Sequence, residues 1–567
     1  MYLADMPARS RALQGYARPD LEQVLAQTRT LAERVEHSSS AAEALEIIRE
    51  WDRLRADVHG REARAVVAYH QDTTNDAARA EQDFWNEASP TLRELEVLHA
   101  RALTQSRHAE HITRQLGPQL LRLEQCATTT FGPEIRGSLA EEARLCTRYA
   151  ELMSAKAIEV DGELQTPAAV RRFSSLADRG KRLSAQQARD RFLIERREEL
   201  DDLFDQLVHL RDQMGRSLGL GGYVPLAYQL RSRIGYGPRD VARLREAIRA
   251  EVVPLCEQIH ARQAARLGVE KILYHDELVW YPEGNPVPLG GPDALLLAAR
   301  EMYRDLHPEF GSFFDVMLEN ELFDIELREG KTQTGFCHFF PDLGLPFVFA
   351  QLVGTDYDVN VLTHECGHAF QAYSARGQPL IEYMLPTSEA AEVASLSMEL
   401  LTYPGLEHLL GDAADRYRSG HLEQAVTKLP LLALGDHFQQ EVYDHPSLSP
   451  DDRHALWREL EQQYLPWRDY GGHLPRMAGG GLWQTMSHLY LWPFVFIDYA
   501  LAETGALQLH RRSLHDRDAA LDDYLAICRA GGSLSFTELL ELGRLSSPFD
   551  PITLRAVAKH VRSVLGL

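Results

Sequence analysis

From Asp20 to about residue 220, apolar side chains recur at three- and four-residue spacing in a background of Ala, Leu, Glu and Arg. Strand alternation is nearly absent there, so this part of the chain must be built from helices packed on helices. Cap-like breaks divide it at Ser38-Ser39-Ser40 and at Ser89-Pro90. The run Gly219-Leu220-Gly221-Gly222-Tyr223-Val224-Pro225 reads as a loop or hinge, and helical patterning resumes from Pro238 to about Leu267. With 567 residues the chain can bury a large core, and we expect a mainly α protein of two lobes around a cleft. The boundary falls near residue 200, giving a helical lobe over residues 1–200 and a second domain over 201–567.

Composition shifts between residues 273 and 356. Pro282, Gly284, Pro286, Pro288, Gly290, Gly291 and Pro292 form a turn-rich insert. Two strand-like runs follow it: Phe323 to Leu327, which alternates apolar and acidic residues, and Pro346 to Val353, which ends at Gly354-Thr355. They predict a small β-sheet directly before the most informative segment of the chain, with an edge strand open to pairing with an extended peptide.

That segment is His364-Glu365-Cys366-Gly367-His368, inside a helix predicted over residues 358–371. On a helix the i and i+4 side chains share a face, so His364 and His368 can hold one zinc ion while Glu365 faces an activated water. Cys366 lies about 200° around the helix from His364 and reads as a small core residue. Gly367 sacrifices about 1 kcal/mol of helix propensity against Ala, which close approach of a second helix or of a substrate would explain. A catalytic zinc takes three protein ligands, and the stretch from Thr387 to Leu401 offers Glu389, Glu392 and Glu399. Glu392 and Glu399 are seven apart on one face, so one can ligate while the other orients a histidine.

The formal net charge of −23, from 83 acidic against 60 basic residues, argues against nucleic acid or an anionic membrane surface as partner, since both need a basic face. Six scattered cysteines without paired spacing predict reduced thiols and a cytoplasmic location. The first ten residues lack the apolar run of a signal peptide, and the most apolar stretch, Leu489 to Ala502, is broken by Pro493 and Asp498, so no membrane span is expected.

The chain resembles the thimet oligopeptidase and oligoendopeptidase F family of zinc metallopeptidases, above all its bacterial PZ-peptidases. The anchors are Arg328-Glu329-Gly330-Lys331, Gly335-Phe336-Cys337, Pro346 to Ala350, Gly354-Thr355 and the run Asp358 to Gln371. The resemblance implies one Zn²⁺ per chain, a deep central cleft, and short peptides as substrates. It also singles out Glu392, 24 positions after His368, as third ligand over Glu389. Glu399 and Asp358 are then expected behind the ligands. A second match, Gly479 to Tyr499, implies a Gly-rich loop and His488 acting on the tetrahedral intermediate, with Tyr490, Tyr499 and Gly354 holding substrate. The chain departs from the family at Val495 and Phe496, where relatives carry tyrosines.

Two other readings share these residues. A metal-dependent carboxypeptidase would need a cation such as Arg376 or Arg476 to receive the substrate's terminal carboxylate. A zinc-containing peptide-binding protein would have lost turnover, but it would have no use for a general base at Glu365.

Overall fold

The computed structural model describes residues 11–567 except 161, 168 and 333; the stretch read as lacking an apolar leader lies outside the described residues. Among the described residues helices dominate, as the spacing predicts, and sheet is confined to two small patches. Local chemistry sets many helix starts. Asp20 accepts from the amides of Glu22 and Gln23 to open Leu21–His37, and Ser40 accepts from Glu43 to open Ala41–Gln71.

The serine break is therefore real, whereas Ser89-Pro90 is not a break: a single helix, Asp76–Thr104, runs through it. Pro90 removes one backbone hydrogen bond, but Trp85 and Ala88 before it and Leu95 after it are buried and hold the helix in line. The main apolar core draws on both sides of residue 200, from Val67 through Leu193, Leu200 and Phe204 to Val561. Two smaller clusters, centred on Trp51 and on Trp85, are built mostly from the first 125 residues.

A hairpin of β1 (Ile158–Val160) and β2 (Glu163–Gln165) stands apart from a three-stranded sheet of β3 (Phe323–Asp324), β4 (Phe336–Phe340) and β5 (Leu345–Phe349). The order is β3-β5-β4, with β3 parallel and β4 antiparallel to β5. The two predicted runs supply β3 and β5. The strand β4 was not foreseen, because Phe-Cys-His-Phe-Phe has no alternation, being packed by the helix Ala41–Gln71 and by the helix that follows β5. β4 lies at the edge of the sheet.

After β5 the chain turns at Gly354 into the helix Asp356–Ala375, which carries both histidines; we call it the histidine helix. The helix Ser388–Leu401, here the carboxylate helix, packs across it. Gly367 explains how closely: a Cβ there would lie 2.6 Å from the Cα of Ser395 and 3.0 Å from the carbonyl oxygen of Ala394. The glycine is thus required by the crossing, and Cys366 is fully buried in the core as expected.

Gly367→Ala should lower stability by about 1–3 kcal/mol, because the overpacking against backbone exceeds the gain of about 1 kcal/mol in helix propensity. Urea denaturation checks this; an unchanged or higher midpoint would contradict the crossing geometry.

Candidate active site

The histidine helix is fixed at its start by Asp358, whose carboxylate accepts from the amides of Val353 at 3.1 Å and Gly354 at 2.6 Å. Asp358 therefore sets how β5 enters the helix, in place of the expected position behind a metal ligand. Gly354 has φ of +82°, a left-handed conformation that favours glycine, and its amide is committed to Asp358. The turn accounts for the glycine.

About two and three turns further on, His364 and His368 project from the same face, their rings 4.8 Å apart and at 86°. Glu392 meets them from the carboxylate helix: Oε2 lies 3.4 Å from His364 Nε2 and Oε1 3.7 Å from His368 Nε2. One donor atom from each of the three falls within 4.8 Å of the others, which leaves room for a single ion between them. Two imidazoles and a carboxylate form a donor set suited to a catalytic divalent metal with an open position. Glu389, the alternative third ligand, points elsewhere and accepts a hydrogen bond from the Tyr236 hydroxyl at 3.0 Å.

Electrostatics fit the same use. Burial, then the charge of His364, push His368 down to about 3, so its imidazole is neutral and able to ligate. Burial acts downward on His364 as well, but its hydrogen bond to Glu399 and the charges of Glu392 and Glu399 outweigh this and raise it to about 9. A proton competing for that nitrogen is what a metal ion would displace. Glu365 is buried and raised to about 7, chiefly by desolvation. Its Oε2 has no hydrogen-bond partner among the described residues, and its Oε1 lies 3.4 Å from where a Cβ on Gly335 would be. Glu365 is thus a carboxylate with a free acceptor atom, set beside the residue that leads into β4.

Behind the ligands stands a network that the spacing only partly announces. His364 Nδ1 donates to Glu399 Oε1 at 2.6 Å, so Glu399 does occupy the supporting position, leaving Nε2 to face Glu392. Asn360 Nδ2 donates to Glu399 Oε2 at 2.6 Å and His421 Nε2 donates to the same oxygen at 2.8 Å. The Tyr403 hydroxyl in turn donates to His421 Nδ1 at 2.7 Å. Burial alone would raise Glu399, but the hydrogen bonds from His364 and His421 hold it well below the usual carboxylate range. Asn360 is one turn before His364 and on its face, a signal that was open to use. His421 comes from another helix, Ala414–Thr427, and no motif marks it.

The second predicted segment divides. His488 is half-buried, with its ring 6.0 Å from Tyr499 and 5.4 Å from Phe496. Burial, and then Arg231, lower it to about 4, so it is neutral. Tyr499 is raised by burial and, beyond that, by the negative charges of Glu392 and Asp498 and, more weakly, of Glu365, with Arg231 opposing. Tyr490 is corrected: it is fully buried, stacked on Tyr149 at 3.9 Å, and its hydroxyl donates to the Leu200 carbonyl at 3.1 Å. It is a core residue. The Gly-rich loop is corrected in part, since Gly480 and Gly481 are buried and only Gly479 is exposed. Val495 and Phe496, the departures, are buried too.

Models of two family domains match the chain: the peptidase M3 N-terminal domain over residues 14–131 and peptidase family M3 over residues 304–558. Among solved structures, PZ peptidase A, determined with an inhibitor, shares 35% identity and a TM-score of 0.94 over 97% of this chain and 98% of its own. A protein assigned as oligoendopeptidase F shares 37% identity and a TM-score of 0.93 over 97% of each chain. Oligopeptidase PepF of Bacillus subtilis (strain 168) is 24% identical over 275 residues, which is 47% of this chain and only 40% of PepF. Fold and site together define a helical peptidase with a His-Glu-x-x-His pocket. This chain belongs to peptidase family M3, in agreement with the resemblance read from its motifs.

Glu399→Gln should weaken divalent-metal affinity by roughly 10–100-fold, since it removes the charge that orients His364. Competition with a chromogenic chelator measures this, and wild-type affinity in the variant would show that Glu399 serves packing alone.

Proposed function

We propose that this chain is a zinc-dependent endopeptidase that cleaves internal bonds of short, unfolded peptides in the cytoplasm, with His364, His368 and Glu392 holding one catalytic zinc. The observation that carries the reading is the convergence of these three donors next to the unpartnered carboxylate oxygen of Glu365. A zinc ion bound there would supply the Lewis acidity that activates water against a peptide carbonyl. Glu365 takes the proton that the attacking water gives up and passes it to the leaving nitrogen. Tyr499, with the neutral His488 beside it, donates to the oxygen on which charge develops. Glu399 keeps the Nδ1 proton of His364 in place throughout.

The position of β4 supports an extended substrate. It is an edge strand whose residues Phe336 to His338 are half-buried, and it begins beside Glu365, so a peptide paired along it would pass the base in the extended form that only unfolded chains adopt. The carboxypeptidase reading loses its candidate cations. Arg376 lies over the Tyr373 ring at the end of the histidine helix, and Arg476 is buried, donating to Gln484 Oε1 at 2.6 Å.

Glu365→Gln should retain zinc and lose hydrolysis by several orders of magnitude, as the amide keeps the shape and cannot take the proton. Metal analysis with peptide turnover decides it: intact zinc with near wild-type turnover removes Glu365 from the mechanism. Tyr499→Phe should lower kcat and kcat/KM together, by roughly 10²-fold, with KM little changed. A change confined to KM would instead make Tyr499 a substrate-binding residue.

A further inference from the structure

A second group of side chains has the same donor geometry as the active site. His99 on the helix Asp76–Thr104, Glu124 on the helix Pro118–Thr129 and Glu382 on the short helix Ile381–Met384 each offer one donor atom within 4.8 Å of the others. His99 is fully buried, and neither of its ring nitrogens has a hydrogen-bond partner among the described residues. Nδ1 lies 2.9 Å from Glu124 Oε1, yet the contact does not have hydrogen-bond geometry, and that Glu124 oxygen is also unpartnered. Glu382 Oε1 pairs with Arg55, while its Oε2 is buried without a hydrogen-bond partner among the described residues. Orphaned donors and acceptors this deeply buried are costly, and in native proteins such groups take a partner, an ordered water or an ion.

Charge points to the kind of ligand. Four carboxylates gather here: Asp52, Glu96, Glu124 and Glu382. Arg55 pairs with Glu96 at 2.6 Å and with Glu382, and His59 pairs with Glu96 at 3.1 Å. Asp52 receives the amide of Ile381 at 3.2 Å and lies 3.7 Å from Arg55. Glu62, 3.4 Å from His59, and Arg93 at the cavity wall add one charge of each sign, so the acids exceed the cations by two, a deficit that one divalent cation would balance.

We propose that His99, Glu124 and Glu382 form a second divalent-cation site, separate from the catalytic pocket. One imidazole and two carboxylates suit zinc or manganese. Glu124 and Glu382, with Arg55 and Glu96, also line a cavity of about 620 Å³ that extends to Thr387 and Ser388. Ser388 is one helical turn before Glu392, so an ion here would brace the wall leading to the catalytic carboxylate by tying three helices together.

The full chain, stripped with chelator, reloaded with Zn²⁺ and dialysed, should retain two equivalents. Crystals measured on either side of the zinc absorption edge should show two anomalous peaks, one between His364, His368 and Glu392 and one between His99, Glu124 and Glu382. His364→Ala with His368→Ala should keep one equivalent, and Glu124→Gln with Glu382→Gln should lose the other. A single peak at the catalytic histidines, or no zinc in the His364→Ala, His368→Ala protein, overturns the second site, and the latter result decides even if the Glu124 and Glu382 changes prevent folding. A peak at His99 with none at His364 would leave this site standing and remove the catalytic assignment instead.

Discussion

The crossing of the histidine helix and the carboxylate helix is the contact on which the site depends. Two histidines on one helix define only one edge of a metal pocket, and the third donor must arrive from outside. Glu392 has a short reach, so the helix that carries it has to come nearly backbone to backbone with its partner. The absence of a side chain at Gly367 allows this, with Ser395 and Ala394 filling the space a Cβ would need. Three residues after Ser395 on the same helix, Met398 also presses on Gly367, and Glu399 emerges next to reach His364. One close approach therefore positions both the third donor and the carboxylate that orients the first.

The surroundings extend the same economy of placement. Asp358 fixes the turn between β5 and the histidine helix through the amides of Val353 and Gly354. β4, paired to β5 through Phe336 opposite Phe349 and Cys337 opposite Val348, is thereby held at a fixed position beside Glu365. The proposed endopeptidase action on extended chains would depend on such a constant relation between Glu365 and the β4 edge, because hydrolysis is sensitive to displacements of about 1 Å in the reacting groups. On the opposite side, Asp498 accepts from Arg231 and Arg233 at 3.0 and 2.7 Å, anchoring the helix Phe496–Ser513 that carries Tyr499.

Much of this was legible before any coordinates. His364, Glu365 and His368 follow from helical spacing, and Gly367 follows from the oddity of a glycine inside a helix. Glu392 is different: spacing allowed Glu389, Glu392 and Glu399, and only the resemblance separated them. His421 could not be read, since it reaches Glu399 through tertiary packing and leaves no local pattern. Tyr490 was misread because an aromatic residue in a motif looks the same whether its ring lines a cleft or, as here, stacks on Tyr149 inside the core. Pro90 was misread because tertiary burial of Trp85 and Leu95 overrides a local breaker. β4 escaped because its aromatic residues are covered by helices on both sides, which erases alternation.

The most direct test of the account is a mass-spectrometric digest of a random peptide mixture by the purified protein, with chelator and after zinc is restored. The pocket of His364, His368 and Glu392 beside Glu365 predicts cuts at internal bonds of short peptides that vanish with chelator and return with zinc. Trimming confined to peptide ends, cleavage that persists through chelation, or binding without any cleavage would contradict it.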